Sequence, residues 1–146
     1  GAPRDARTDP AAFAAFARDH PIGLRRRRRE HVRLVLGADF DRRALRVAAE
    51  LPQGGLAWLM DADGAAVAAA GRGACADAVA ALGGADPLAL LAFGACARRG
   101  VAGEPEALRA CAAGAPVAGF YGLGEIARAR GVTAFHNQAL AVLAVA

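Results

Sequence analysis

The chain contains no lysine and no serine, and all 18 of its basic residues are arginine. Such a skew is what a GC-rich genome would write, so arginine abundance by itself carries little functional information. Aromatic residues are scarce, with one Trp, one Tyr and six Phe in 146 residues. A nucleic-acid groove needs stacking platforms beside its positive charge, and a net charge of +4 without them does not describe one. The run Arg25 to Arg29 therefore reads as a solvated loop rather than a row of phosphate contacts. No apolar run reaches the roughly 18 to 20 residues of a membrane span. No basic region followed by an apolar core and a small-residue cleavage site opens the chain, so no secretory signal is read. Gly1 to Thr8 reads as a tail or tag remnant. The three cysteines, Cys75, Cys96 and Cys111, have neither CxxC spacing nor histidines at zinc-finger intervals, which points to reduced thiols in a cytoplasmic protein without a metal or cofactor.

The chain is the size of one ordinary domain, long enough to bury a core. Alanine supplies much of its 55% apolar content, so Leu, Val and Phe positions mark that core. DPAAFAAFARDHP predicts a helix with Asp9 as N-cap, Pro10 at the first helical position, Phe13 and Phe16 on one face, and Pro21 as the stop. From His31, HVRLVLG, ALRVAAELPQGG and LAWLMDADG form three short runs bounded by Gly, Pro and Asp, read as a strand meander. Residues 64–84 repeat Val67, Ala70, Ala74, Ala78, Val79 and Leu82 at helical spacing, and the glycines at 71 and 73 imply close packing against a neighbour or a frayed turn. PLALLAFGA is a continuous apolar run, hence a central strand buried on both faces. GEPEALRACAAG reads as a helix, PVAGFYG as a strand and HNQALAVLAVA as the last strand. Strand, helix, strand, helix, strand from Leu56 to Tyr121 implies right-handed crossovers and parallel neighbours. The expected class is α+β, a single domain with one mixed sheet of about six strands and helices packed against it.

Three constellations could carry chemistry. In FGACARRG, Cys96 and Arg98-Arg99 follow the buried strand at its carboxyl end, where ligands commonly bind. In GFYGLGEI, Gly119, Gly122 and Gly124 permit unusual backbone angles and place Tyr121 and Glu125 at a strand end. In AFHNQ, His136 and Asn137 open the final strand and point to opposite faces. If the strands ending at Phe93 and Tyr121 are neighbours, these groups converge. A carboxylate-bearing ligand would want a bidentate arginine such as Arg99, an ammonium would want Glu125, and Tyr121, His136 and Asn137 would complete the set.

The motifs HPIGLR, LPQGG, WLMDAD, FGACARRG, PVAGFYGLGEI and TAFHNQALAVLAV, in this order, resemble the C-terminal domain of the FIST family from about Asp9 to the end. The resemblance implies an intracellular sensory module of signal-transduction proteins that binds small ligands, amino acids having been suggested. It maps the family's Cys-x-x-Arg onto Cys96 and Arg99, its Gly-Phe-Tyr and Gly-Glu-Ile onto Gly119 to Tyr121 and Gly124 to Ile126, and its His-Asn-Gln onto His136 to Gln138. This chain has Ala95 and Ala139 where the family tends to have Ser and Thr, so two hydroxyls are missing. The usual family protein also carries a preceding N-terminal domain, a candidate partner alongside a signalling effector, and the chain is then an excised piece or a stand-alone copy.

Each site residue also has a plainer reading. Cys96 is a packing thiol at a strand end, a ligand contact, or a nucleophile served by His136 with Asn137 or Glu125. Glu125 binds an ammonium or accepts backbone N–H groups in the glycine turn. Arg99 clamps a carboxylate or pairs with Glu125, which would satisfy both charges and turn the site into an internal network of an interaction module. Cys75 and Cys111 are core filler, Trp58 is core, and His20 and His31 are incidental. Neither GxG, at 71–73 or 122–124, has the context of a dinucleotide fingerprint.

Overall fold

The computed structural model describes residues 4–26, 29–129 and 132–146. The chain divides into two compact units, Gly1–Ala62 and Asp63–Ala146. Its class is α+β: three α-helices and ten strands among the described residues. The single sheet expected above is replaced by two three-stranded sheets and two hairpins.

In the first unit, α1 (Pro10–Asp19) begins as its sequence demands. Asp9 is extended and its carboxylate accepts from the Ala11 amide at 2.8 Å, while Pro10 occupies a position that needs no N–H donor. The helix ends at His20, whose Nδ1 donates to the Phe16 carbonyl at 2.9 Å while its ring stacks on Phe16, so this histidine is a C-terminal cap rather than incidental. Past Pro21 the chain enters a strand that the sequence reading passed over. This is β1 (Ile22–Arg26), the centre of a sheet with β2 (Arg29–Arg33) and β5 (Ala57–Leu59), both antiparallel to it. Arg25, Arg26 and Arg29 are therefore strand residues rather than loop, while Arg27 and Arg28 lie outside the described residues. β3 (Val35–Asp39) and β4 (Ala44–Val47) form a separate hairpin, so residues 31–60 are not a meander. Ala17, Ile22, Leu24 and Val35 form the core, with Phe13, Val47 and Leu51 against it.

The second unit holds the candidate site. α2 (Gly64–Ala80) is capped by Asp63, which accepts from Ala65 at 3.1 Å. β6 (Ala89–Ala95) is the central strand, as its apolar run predicts, flanked by β10 (Leu140–Val145) antiparallel and β7 (Val117–Gly122) parallel. The parallel pair requires a crossover, which α3 (Glu104–Cys111) provides. The expected pairing stops there, because the strand before α2 belongs to the first unit's sheet. α2 and α3 cover one face of the sheet over Cys75, Leu90, Leu108 and Ala112. On the other face Phe93 meets Phe120 edge to face, their centroids 5.2 Å apart.

After β7 the chain forms the hairpin β8 (Glu125–Ala129) and β9 (Val132–His136). The ARARG segment is thus strand through Ala129 rather than turn, and Arg130 and Gly131 lie outside the described residues. His136 ends β9 and Asn137 sits in the turn before β10, so neither opens the final strand.

The two glycines of α2 separate cleanly. A Cβ on Gly71 would stand 2.9 Å from Glu104 Oε2 and 3.0 Å from Arg98 Nη2, whereas one on Gly73 would meet nothing within 4 Å. Gly71→Ala is therefore expected to destabilise the protein by about 1–3 kcal/mol through overpacking. Gly73→Ala should stabilise it by up to about 1 kcal/mol, the helix-propensity gain alone. Paired chemical denaturation curves check both signs.

Candidate functional site

The carboxyl ends of β6 and β7 lie side by side, with Gly94 opposite Tyr121 and Ala95 opposite Gly122. From this edge the chain leaves in two directions, through a 3-10 turn (Cys96–Arg98) after β6 and through Leu123-Gly124 into β8. The expected convergence of polar segments follows, but the residues that become buried are not all the expected ones.

Cys96 is exposed, which removes its reading as a packing thiol, and Arg99 is exposed as well. The buried cation is the neighbouring Arg98, only 4% accessible. Its guanidinium pairs with Glu104, itself 2% accessible: Nη2 lies on Oε2 and Nε donates to Oε1 at 3.4 Å. Nη2 also donates to the Val67 carbonyl at 2.9 Å, and Nη1 to the Gln138 carbonyl at 3.3 Å. The alternative in which Arg99 pairs with Glu125 is not met; the internal ion pair is made by Arg98 and Glu104. Glu104 stands at the first position of α3, where the helix dipole favours a negative charge. Its one sequence signal was that position before Pro105. Which of the two arginines turns inward depends on the 3-10 turn, and spacing alone does not reveal that.

Glu125, by contrast, is buried at 6% accessibility without a proper partner. Among the described residues neither of its carboxylate oxygens has a partner in hydrogen-bond geometry. Burial pushes its carboxyl above the usual range. The Ala139 amide, the Arg98 guanidinium and its own amide lie close enough to oppose this without cancelling it.

Opposite Glu125 in the β8–β9 ladder is His136, whose Nε2 is also buried and unpartnered. Directly opposed residues in an antiparallel pair share a face. Asn137 follows, 4% accessible, donating from Nδ2 to the Leu123 carbonyl at 3.5 Å while its Oδ1 stays unpartnered. Gly124 lets this corner close, since a Cβ there would run into the Phe135 ring and stand 3.2 Å from Asn137 Nδ2. Gly119 serves the sheet instead, because a Cβ would strike the Ala92 carbonyl, and Gly122 is under no comparable constraint.

Tyr121 lies apart from this corner. Its ring covers Gly94, and with Gly119, Leu108, Leu140 and Glu104 it lines a cavity of about 290 Å³ between α3 and the sheet. The structure therefore brings Glu125, His136 and Asn137 together, leaves Cys96 and Arg99 on an exposed turn, and gives Tyr121 and Gly119 to a neighbouring cavity.

The family model of the FIST C domain matches residues 5–128. The chain belongs to the FIST C family. No curated protein and no solved structure matches it. FIST C domains are sensory domains of signal-transduction proteins. In this FIST C domain the matched region includes Arg98, Glu104 and Glu125 and stops before His136 and Asn137. Among its described residues no helix is long and apolar enough to cross a membrane, and no group of His, Cys, Asp and Glu side chains is arranged to hold a metal ion.

The thiols of this FIST C domain differ sharply. Burial, with the adjacent Cys111 thiol, pushes Cys75 up to about 12, so it stays protonated and inert. Iodoacetamide at pH 8 should label exposed Cys96 about a hundredfold or more faster than Cys75 in the folded protein, as peptide mass spectrometry over time would record.

Proposed function

We propose that this chain is a non-enzymatic cytoplasmic sensory domain that binds a small polar ligand, with amino acids the first class to test, at the corner formed by Glu125, His136 and Asn137. Tyr121 lines the neighbouring cavity, and Cys96 and Arg99 lie on the exposed turn after β6. One observation carries the reading: among the described residues, a buried carboxylate, a buried amide oxygen and a buried imidazole nitrogen stand at one hairpin end without hydrogen-bond partners. Each unsatisfied buried acceptor costs about 1–3 kcal/mol, and a ligand rich in N–H donors would recover that cost. Family membership supports the sensory role.

A thermal-shift panel of amino acids and small amines tests the proposal. A ligand at 100 times its dissociation constant stabilises the fold by about 2.7 kcal/mol. The shift should vanish in Glu125→Gln while that variant remains folded.

A second reading, an interaction module with an internal polar network, draws on the Arg98–Glu104 pair, which already satisfies its own charges. It predicts that no metabolite shifts the melting temperature. A shift abolished by Glu125→Gln would rule it out.

A further inference from the structure

We infer that the group recognised at Glu125 is an organic ammonium bound as a cation, and that a carboxylate on the same ligand lowers the affinity. The inference rests on the ligand-binding reading above and specifies the chemistry of that site.

Charge count and donor count both point this way. Two buried carboxylates, Glu104 and Glu125, are served by one buried guanidinium, Arg98. Arg98 has already committed Nε and both N–H groups of Nη2 to Glu104 and the Val67 carbonyl, and Nη1 to the Gln138 carbonyl. Of its five N–H donors about one remains, too few for a bidentate carboxylate clamp. An incoming carboxylate would also find Arg98 engaged by Glu104 and no other buried cation among the described residues.

The unpartnered atoms at the corner, Glu125 Oε1 and Oε2, Asn137 Oδ1 and His136 Nε2, are three oxygen acceptors and a ring nitrogen that accepts in one tautomer. An ammonium presents three N–H donors and one positive charge. It satisfies several acceptors at once and balances the second carboxylate. Anions and neutral alcohols do neither.

A proton follows from the same count. The groups facing Glu125 are His136 from β9, Asn137 and the Ala139 amide from the turn before β10, and Arg98 from the 3-10 turn, with Glu104 behind Arg98 on α3; β6 is entirely apolar. In that setting the ligand-free carboxyl holds its proton over a wider range than an exposed one. Binding an ammonium to the carboxylate form releases that proton to solvent. Affinity should therefore rise about tenfold per pH unit while free Glu125 is protonated, and level off above that range.

The test compares propylamine, 2-aminobutyrate and butyrate, which share a carbon chain and differ in their charged groups, against matched sodium chloride. Thermal shift and titration calorimetry are read from pH 5 to pH 8. Propylammonium should bind at least about tenfold more tightly than 2-aminobutyrate, which pays for placing its carboxylate beside Glu104 and Glu125. Butyrate should not bind. The pH slope should persist in His136→Gln and disappear in Glu125→Gln. If Glu125→Gln does not fold, calorimetry of the unmodified protein in two buffers of different ionisation enthalpy decides alone: about one proton released per amine at low pH is expected, and none overturns the inference. If 2-aminobutyrate or butyrate binds more tightly than propylamine, the ammonium inference fails and the ligand site stands. If none of the three shifts the protein at any pH, both fail together.

Discussion

Arg98→Ala is expected to cost about 3–5 kcal/mol, because it strands the Glu104 carboxylate in the interior and frees the Val67 and Gln138 carbonyls at the same time. Domains of this size are stable by only about 5–15 kcal/mol, so the variant should melt far below the parent and populate unfolded chain at 37 °C. Glu104→Ala should cost a similar amount by leaving the guanidinium uncompensated. The replacement Arg98→Met with Glu104→Leu removes both charges and keeps most of the volume. It should recover much of the loss, since a buried pair is often no better than a well-packed apolar one. Urea denaturation of the parent, the two alanine variants and the double variant Arg98→Ala with Glu104→Ala forms a double-mutant cycle that measures the coupling directly. If Arg98→Ala and Glu104→Ala each cost less than about 1 kcal/mol, the pair is not the buried anchor described here.

Glu125→Gln should act in the opposite direction. In the folded protein burial raises the carboxyl above its unfolded value, so the native state binds the proton more tightly than the unfolded chain does. Stability is then full below the unfolded carboxyl range and falls as the pH rises toward and through the raised folded value. At pH 7 and without ligand, the neutral, nearly isosteric glutamine escapes that loss and brings an NH2 group toward Asn137 Oδ1 and His136 Nε2. A gain in stability is expected at pH 7, shrinking as the pH falls toward the unfolded carboxyl range. Thermal melts of parent and variant across this range check both sign and window. A substitution that stabilises the fold and abolishes ligand response is the signature of a group retained for binding.

Local chemistry was legible in the sequence wherever it decided structure. Asp9 and Pro10 start α1, the apolar run at PLALLAFGA becomes the central strand, and its parallel pairing with β7 follows from the intervening helix. β1 was hidden because IGLRR runs into an arginine block, and charge masks a short strand whose apolar residues are only Ile22 and Leu24. The β8–β9 hairpin was hidden because glycine and arginine dominate ARARG, although backbone pairing runs as far as Ala129 opposite Val132. At the site, Glu125, His136 and Asn137 were marked by residue type among glycines, within a larger expected cluster that also held Cys96, Arg99 and Tyr121. Arg98 and Glu104 were not. Their pairing depends on a 3-10 turn of three residues and on a helix that arrives from the other side of the sheet, which are tertiary facts that periodicity does not encode.

The hydrogen bonds of Arg98 to Val67 and Gln138 span 31 and 40 residues of chain. Contacts of such sequence separation bear more closure entropy than the β6–β7 pairing and are expected to form after the local helices. The guanidinium is therefore expected to act as a late clasp. Weakening it should leave the folding limb of a chevron almost unchanged and steepen escape from the native state, so this arginine governs how long the folded molecule persists more than how quickly it is made.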